Sequence, residues 1–385
     1  MKRNRIILIV LWLLSLVGIS LQGGPVTYGI FYLLTLIPLF SLAYIGLVIH
    51  LFKIYQAVEG LPLVANHPTD FYFVLQNESW ILFSGIQVLF YSSFSSISGL
   101  YDETEYELHP GSGIRRNTRI LCRYRGEYEI GIKTIEVRDF FRLFTVSYRN
   151  REPYKARVRP AIVHLSRLKA SEAVLSSSKD SLVNRSEIDL LMKEYESGDD
   201  PRLINWKASS ANGKLMVRQR IGEEKQGAGI LMDPHRYSDD PHVYLPIENK
   251  ILEIVIALSL FLSEKGIPVE TFWYDEQLRS AKIGAKGDFR AFYETMCGYS
   301  FKESCSLSHL CIEALHHSRI AANRTVFLVL HSLDSGVLSF MDQLAGSDVD
   351  IIVYAVGDET MDISRIPPGI RVTRVALDAD PAEVL

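Results

Sequence analysis

Charge is the first thing this sequence lacks, and it lacks it in one place. Residues 6 to 52 contain no Asp, Glu, Lys or Arg, although charged residues make up 22% of the 385-residue chain. A gap of that length excludes a chain that is water-soluble throughout. The charge-rich remainder equally excludes a polytopic transporter, whose apolar spans would recur along the chain. Cysteine is scarce, and Cys122, Cys297, Cys305 and Cys311 form no C-x-x-C pair. That removes a zinc knuckle and a disulfide scaffold, leaving reduced thiols in a cytosolic compartment as the expectation. No G-x-x-x-x-G-K-[ST] phosphate loop and no H-E-x-x-H zinc helix occurs. Gly284 to Gly287 reads as a turn between strand and helix. His316 and His317 are neighbours in a helical pattern, which sends their rings to different sides. Low-complexity segments are absent too, and 48% hydrophobic residues allow a sizeable core.

The uncharged stretch consists of two runs, Ile6–Leu21 and Thr27–Phe52, parted by Gln22-Gly23-Gly24-Pro25. A membrane-crossing helix needs roughly 20 residues, so the second run is long enough and the first is completed by its flanks. Pro38 predicts a kink in the second helix. Lys2, Arg3 and Arg5 precede the pair, Lys53 follows it, and the connecting turn has no cation. The positive-inside rule therefore predicts a multi-pass cell-membrane protein with both termini cytoplasmic. The alternative for the first run is a cleaved signal peptide.

From residue 54 to 165 the apolar period shortens to that of strands. Expected strands are Phe71–Gln76, Ile86–Tyr91, Glu105–Leu108, Arg119–Arg123, Glu127–Val137 and Ala156–Arg159, in an antiparallel, immunoglobulin-like β-sandwich. Residues 115 to 169 hold fifteen Lys/Arg against five Asp/Glu. This basic excess suits membrane lipid headgroups or an acidic partner. It suits equally a solvated sheet face whose arginines pair with the acidic 102–107 stretch. Nucleic acid is not expected, because no binding module frames the cations.

Residues 166 to 226 form a linking segment. Asp200 is placed to cap a helix that opens on Pro201, carries Leu203, Trp206 and Ser210 on one face, and ends at Asn212-Gly213. Leu215–Ile221 reads as a strand. After Gly227 strands and helices alternate. Strands are expected at Ala228–Met232, Val269–Tyr274, Thr325–His331, Asp350–Val356 and Ile370–Leu377. Helices are expected at Ile247–Lys265, Asp288–Cys297, Leu307–Ala321 and Ser335–Ala345. That alternation predicts a doubly wound, mainly parallel α/β domain over 227–385.

The linking segment resembles the signature of the DUF58 family of membrane-anchored bacterial proteins. Lys193, Glu194, Tyr195, Gly198, Asp199, Asp200, Arg202, Ile204, Trp206, Lys207, Ser210 and Ala211 match its pattern, while Asn212 stands where the family has arginine. Tyr124 to Tyr128 and Asp139-Phe140-Phe141-Arg142-Leu143-Phe144 are similar to its R-G-x-Y and D-P-F-G-L-F elements, with Phe141-Arg142 as the departure. With residues 1–53 as a two-helix anchor, the resemblance spans most of the chain. It implies that the α/β domain is of the von Willebrand factor A type. It also implies partnership with a MoxR-type AAA+ ATPase and a client protein.

Ion-dependent domains of that type carry Asp-x-Ser-x-Ser after their first strand, two hydroxyls and a carboxylate for a hard magnesium ion. Here the place reads Asp233-Pro234-His235-Arg236-Tyr237, and Asp334 is a distant second candidate. The expectation is a fold that has lost its ion, with no cofactor. The chain is accordingly read as a non-catalytic, membrane-tethered cytoplasmic scaffold or adaptor. The alternatives are a magnesium-dependent adhesion or binding module using Asp233, and a thiol hydrolase using Cys311 with His331 and Asp334. Glu194, Tyr195, Gly198, Asp199, Asp200, Arg202, Trp206, Lys207 and Ser210 are the candidate interaction residues.

Overall fold

A computed structural model describes residues 2–100, 104–168, 192–194, 204, 206–218, 227–284, 286–316, 320–347, 349–357 and 365–385. They fall into two compact units, Met1–Ala161 and Ile162–Leu385.

The first unit begins with a hairpin of two helices, α1 (Lys2–Gln22) and α2 (Pro25–Leu51), each long and apolar enough to cross a membrane. Gly23 turns the chain at φ 54°, a left-handed conformation that glycine adopts without strain, and Pro25 opens α2 with its φ already helical. Trp12 Nε1 donates to Thr35 Oγ1 at 3.0 Å and ties the two helices together. Helix α2 continues through Pro38. The expected helical Phe52 is instead the first residue of a strand, so helix passes into sheet with no linker.

Eleven strands follow: β1 (Phe52–Glu59), β2 (Leu63–Val64), β3 (Pro68–Asn77), β4 (Phe83–Phe90), β5 (Ser95–Ser98), β6 (Glu105–Leu108), β7 (Ser112–Cys122), β8 (Gly126–Ile130), β9 (Ile132–Arg138), β10 (Thr145–Arg149) and β11 (Tyr154–Arg159). They form sheets of order β1-β3-β7-β5, β10-β9-β4-β6 and β2-β11-β8. Alternate residues of each strand, such as Phe71, Phe73 and Leu75, or Ile135 and Val137, meet in one core. Ile45 and Val48 of α2 belong to that same core, so the second helix is built into the β-rich body.

The single strand expected over Glu127–Val137 is two strands in different sheets, parted at Gly131. Gly131 sits at φ +79° with Gln56 packed against it, and Gln56 Oε1 accepts from Ile132 N at 2.9 Å. Part of the charge pattern resolves into pairs. Arg138 and Arg142 both reach Glu105, within the acidic stretch named above, and Arg149, Arg157, Arg115 and Arg119 meet Glu129, Glu127, Glu59 and Asp70. Buried Asp139 holds the 139–144 loop by accepting from Phe141 N and Phe144 N. In that loop Arg142 takes φ 54°.

In the second unit β12 (Met192–Glu194) pairs antiparallel with β13 (Met216–Arg218), on either side of the short helix α3 (Trp206–Asn212). Pro201 and Leu203, the expected helix opening, lie outside the described residues, as do positions 219 to 221 of the expected strand. The main sheet contains β14 (Ala228–Met232), β15 (Val269–Asp275), β16 (Gln277–Ile283), β17 (Thr325–Leu330), β18 (Asp350–Val356) and β19 (Arg371–Val375). Its order is β16-β15-β14-β17-β18-β19, parallel throughout except for the antiparallel edge strand β16.

Helices α4 (Pro241–Glu264) and α5 (Lys286–Gly298) cover one face; α6 (Leu307–His316) and α7 (Ser335–Ala345) cover the other, and α8 (Pro381–Val384) ends the chain. Ile230, Phe327, Val329, Ile352 and Tyr354 pack with the first pair, and Leu231, Val326, Leu328 and Val353 with the second. Period-two side chains buried on both faces explain the unbroken apolar runs of these central strands. Helix α4 starts earlier than its apolar pattern, at a cap supplied by Asp240.

Gly131→Ala should lower the unfolding free energy of the detergent-solubilised chain by about 1–3 kcal/mol, because a Cβ there is strained in φ and collides with Gln56. Chemical unfolding checks this; unchanged stability would contradict the role given to the kink.

Candidate functional site

In a doubly wound sheet the crevice for a ligand opens beyond the carboxyl ends of the strands, where the strand order reverses. Here that point lies between β14 and β17. Asp233 follows β14 and His331 follows β17, and Asp233 N donates to Val329 O at 2.9 Å to keep the two ends together. Asp233 is fully buried. Its carboxylate accepts three hydrogen bonds: from His235 N at 3.1 Å, from His331 N at 3.1 Å and from the Tyr237 hydroxyl at 2.6 Å. Burial pushes the Asp233 carboxyl above the usual carboxylate range, and the three donors oppose that rise. Burial and the neighbouring carboxylate raise the Tyr237 hydroxyl as well.

Tyr237 also lies 2.8 Å from Ser332 Oγ, and its ring is packed edge-on between His235 and His331, with centroids 4.6 and 4.5 Å away. The imidazoles are occupied in turn. His235 Nδ1 meets Cys305 O at 2.8 Å and His331 Nδ1 meets Val356 O at 2.6 Å. Gly357 leaves room for the second imidazole, since a Cβ there would stand 3.0 Å from His331 Cε1. The outcome is a half-buried row of three rings over a buried, satisfied carboxylate.

This donor set does not suit magnesium. A hard dication needs several free oxygens in an octahedron. Both oxygens of Asp233 already accept from protein donors, Tyr237 and His235 stand where hydroxyls would be, and the Ser332 hydroxyl is engaged with Tyr237. Asp334 has other work: it caps α7 by accepting from Val337 N at 2.8 Å and is bonded by the Ser308 hydroxyl. Arg236, between His235 and Tyr237 in the chain, is engaged elsewhere. It turns onto Glu248 of α4, at 2.7 and 3.3 Å, and lies over the Tyr244 ring. Nothing in the sequence signals that pairing except a charged residue inside a long apolar helix.

Cys311 is buried, and desolvation, reinforced by Asp334 and Asp233, lifts its thiol well above the ordinary range. A nucleophilic thiolate needs the opposite shift. Of the signature residues, Glu194 ends β12 opposite Met216. Trp206, Lys207 and Ser210 are exposed on α3, and Trp206 keeps 70% of its surface. Ser209 is the residue that fastens this helix, its hydroxyl accepting from Met216 N at 2.9 Å. Tyr195, Gly198, Asp199, Asp200 and Arg202 lie outside the described residues.

Tyr237→Phe removes one donor from a buried carboxylate and should cost about 1.5–3 kcal/mol of stability near neutral pH. Burial raises the folded pKa of Asp233 and the Tyr237 hydrogen bond opposes that rise, so the ionised form is the one that needs the donor. The deficit should therefore be small in acid and grow as pH rises through the Asp233 titration. Millimolar Mg²⁺ should leave the melting temperature of the parent chain unchanged. A rise on adding Mg²⁺ that Asp233→Asn abolishes would contradict this account.

No protein-family model matches the chain, and no curated protein matches it. Among solved structures, a FixG-related protein from Vibrio parahaemolyticus aligns at 8% identity and a TM-score of 0.20, over 28% of this chain and 96% of its own. BslA, a bacterial hydrophobin, aligns at 10% identity and 0.13, over 28% of this chain and 89% of its own. An exo β-N-acetylglucosaminidase from Vibrio harveyi aligns at 7% identity and 0.16, over 80% of this chain and 57% of its own. Scores this low carry no inference about fold or activity.

Proposed function

We propose that this chain is a membrane-tethered cytoplasmic adaptor of the DUF58 kind, non-catalytic, which presents a protein-binding face and works with a MoxR-type AAA+ ATPase in assembling or maturing client proteins. The observation that carries the reading is Asp233. The carboxylate at the ligand-binding end of the sheet is spent on holding its own loops. What remains at that end is a rigid surface of His235, Tyr237, His331 and Ser332, suited to recognition rather than turnover.

Four further features support it. The sheet order with one antiparallel edge strand is that expected of a von Willebrand factor A-like domain. The two antiparallel sheets that share one core suit an immunoglobulin-like sandwich. Arg142, the departure from the DUF58 element, takes a left-handed φ that suits the glycine the element carries there. Both ends of the helical hairpin meet the sandwich: Asn4 and Arg5 donate to Phe141 O and Leu143 O, and Tyr44 donates to Leu82 O. With Lys2, Arg3, Arg5 and Lys53 beside those ends, the sandwich takes the cytoplasmic side.

Affinity purification of the detergent-solubilised full chain should co-isolate an AAA+ ATPase, and Trp206→Ala or Ser332→Arg should reduce its recovery severalfold. Recovery of no ATPase would count against the partnership. A reporter fused after Leu385 should be active only in the cytoplasm; activity solely on the outer side would overturn the topology.

A further inference from the structure

Where the second helix enters the sandwich there is a groove of about 860 Å³, lined by Gly46, Ile49 and Phe52 on one side and by Lys53, Arg149 and Arg151 among the residues opposite. Its depth relative to a bilayer follows from the contacts of α2, and rests on the membrane reading given above. Tyr44 is the first residue of that helix bonded to the sandwich, through Leu82 O and Ser84 N at 2.9 Å each, and Ile45 and Val48 are buried in its core. The helix must therefore leave the hydrocarbon near Tyr44. Pro25 to Ala43 rises about 28 Å, close to the roughly 30 Å of a bilayer core. On the first helix the same boundary falls at Asn4 and Arg5, which bond the 139–144 loop. That loop exposes Phe140 and Phe141 at the level where aromatic rings favour the interface. From Gly46 to Leu51 the last turns of α2 then rise a further ~8 Å, about the depth of the headgroup layer on one face, and Phe52 and Lys53 follow at its outer edge.

The chemistry of the groove fits that depth. Leu39, Leu42, Gly46 and Ile49 are spaced 3, 4 and 3 residues apart, so they form one stripe on α2. Leu39 and Leu42 are exposed, and Gly46 leaves a notch, since nothing lies within 4 Å of where its Cβ would be. The stripe is an apolar path from the bilayer into the groove. At its end the cations are held in place. Arg149 is anchored through Nη2 to Glu129 and the Tyr91 hydroxyl, and Lys53 is paired with Glu78. The turn after Arg149 is pinned by Asn150, whose amide donates to Ile132 O and Glu152 O and accepts from Glu152 N. Arg151 is exposed and has no ion pair among the described residues. Glu152, the carboxylate in the lining, is exposed to solvent. A guanidinium carries five donors, so Arg149 keeps free N–H groups beyond those anchored, and Arg151 keeps all of its own.

We propose that this groove binds one anionic glycerophospholipid of the cytoplasmic leaflet, its phosphate held by Arg151 and Arg149 and one acyl chain laid along Leu42, Gly46 and Ile49. A neutral lipid offers the same apolar path but also carries a choline that Arg151 repels. A soluble acidic peptide lacks the apolar tail that the stripe would cover.

The test is native mass spectrometry of the full chain in detergent, titrated with phosphatidylglycerol or phosphatidylcholine. The parent chain should retain phosphatidylglycerol at least fivefold over phosphatidylcholine. Arg151→Gln, which breaks no ion pair among the described residues, should reduce that preference severalfold, and Arg149→Gln with Arg151→Gln should bring it near parity. Arg116→Gln, an equal loss of charge elsewhere on the sandwich, should leave it intact. Unaltered preference in Arg151→Gln, or an equal fall in Arg116→Gln, would overturn the groove as the site. Carbonate washing of membranes separates the two readings. A chain released by carbonate refutes the anchor itself, whereas a retained chain without lipid preference refutes only the groove.

Discussion

A buried carboxylate that must be satisfied governs the open end of the six-stranded sheet. Asp233 is out of contact with water, and an unpaired charge there would cost more than the domain could spare. Its donors come from three places: two residues further along its own loop, the backbone at the end of β17, and a tyrosine hydroxyl. Meeting that need fixes the loop after β14 against the loop after β17. It also sets Tyr237 between two imidazoles and leaves the crevice without a free anionic oxygen. One phenol thus both satisfies the carboxylate and holds the surface of the crevice in place.

A second constraint governs the other unit. A helix satisfies its own backbone in an apolar layer, but a lone strand cannot, so the proposed membrane placement requires the change from helix to strand at Phe52 to occur outside that layer. The structure makes that change without a linker. The last turns of α2 donate Ile45 and Val48 to the sandwich core, and the Tyr44 hydroxyl bonds the β4 approach at Leu82 and Ser84. The sandwich is consequently fixed to its anchor. In its arginine-rich strands Arg138, Arg149 and Arg157 pair with Glu105, Glu129 and Glu127.

Much of this was legible in the sequence, and the exceptions have physical reasons. Ala228–Met232, Ser335–Ala345 and Asp350–Val356 were readable because burial on both faces, or on one helical stripe, leaves a strong pattern. Gln277–Ile283 was missed because it folds back from Asp275 across Glu276, which turns at φ 64° without the Gly or Asn that marks a hairpin. Phe52–Glu59 was missed because its first residue continues the uncharged run. Glu127–Val137 looked like one strand because a single glycine carries the whole change of sheet. At the site, Asp233 and the missing hydroxyls stood out only through the family resemblance and the Asp-x-Ser-x-Ser pattern that it implies. That Tyr237 would take over the carboxylate, and that Arg236 would turn to Glu248, depends on distances between loop and helix that no local pattern encodes.

The account comes down to whether the strand-end surface meets another protein. A photoreactive residue placed at Ser332 in the full chain, in living cells, addresses this directly, with Ser347, which precedes β18 at the amino end of the parallel strands, as the reference position. The account predicts a discrete protein adduct from Ser332 that is absent from Ser347. No adduct from either position, or the same adducts from both, would contradict it.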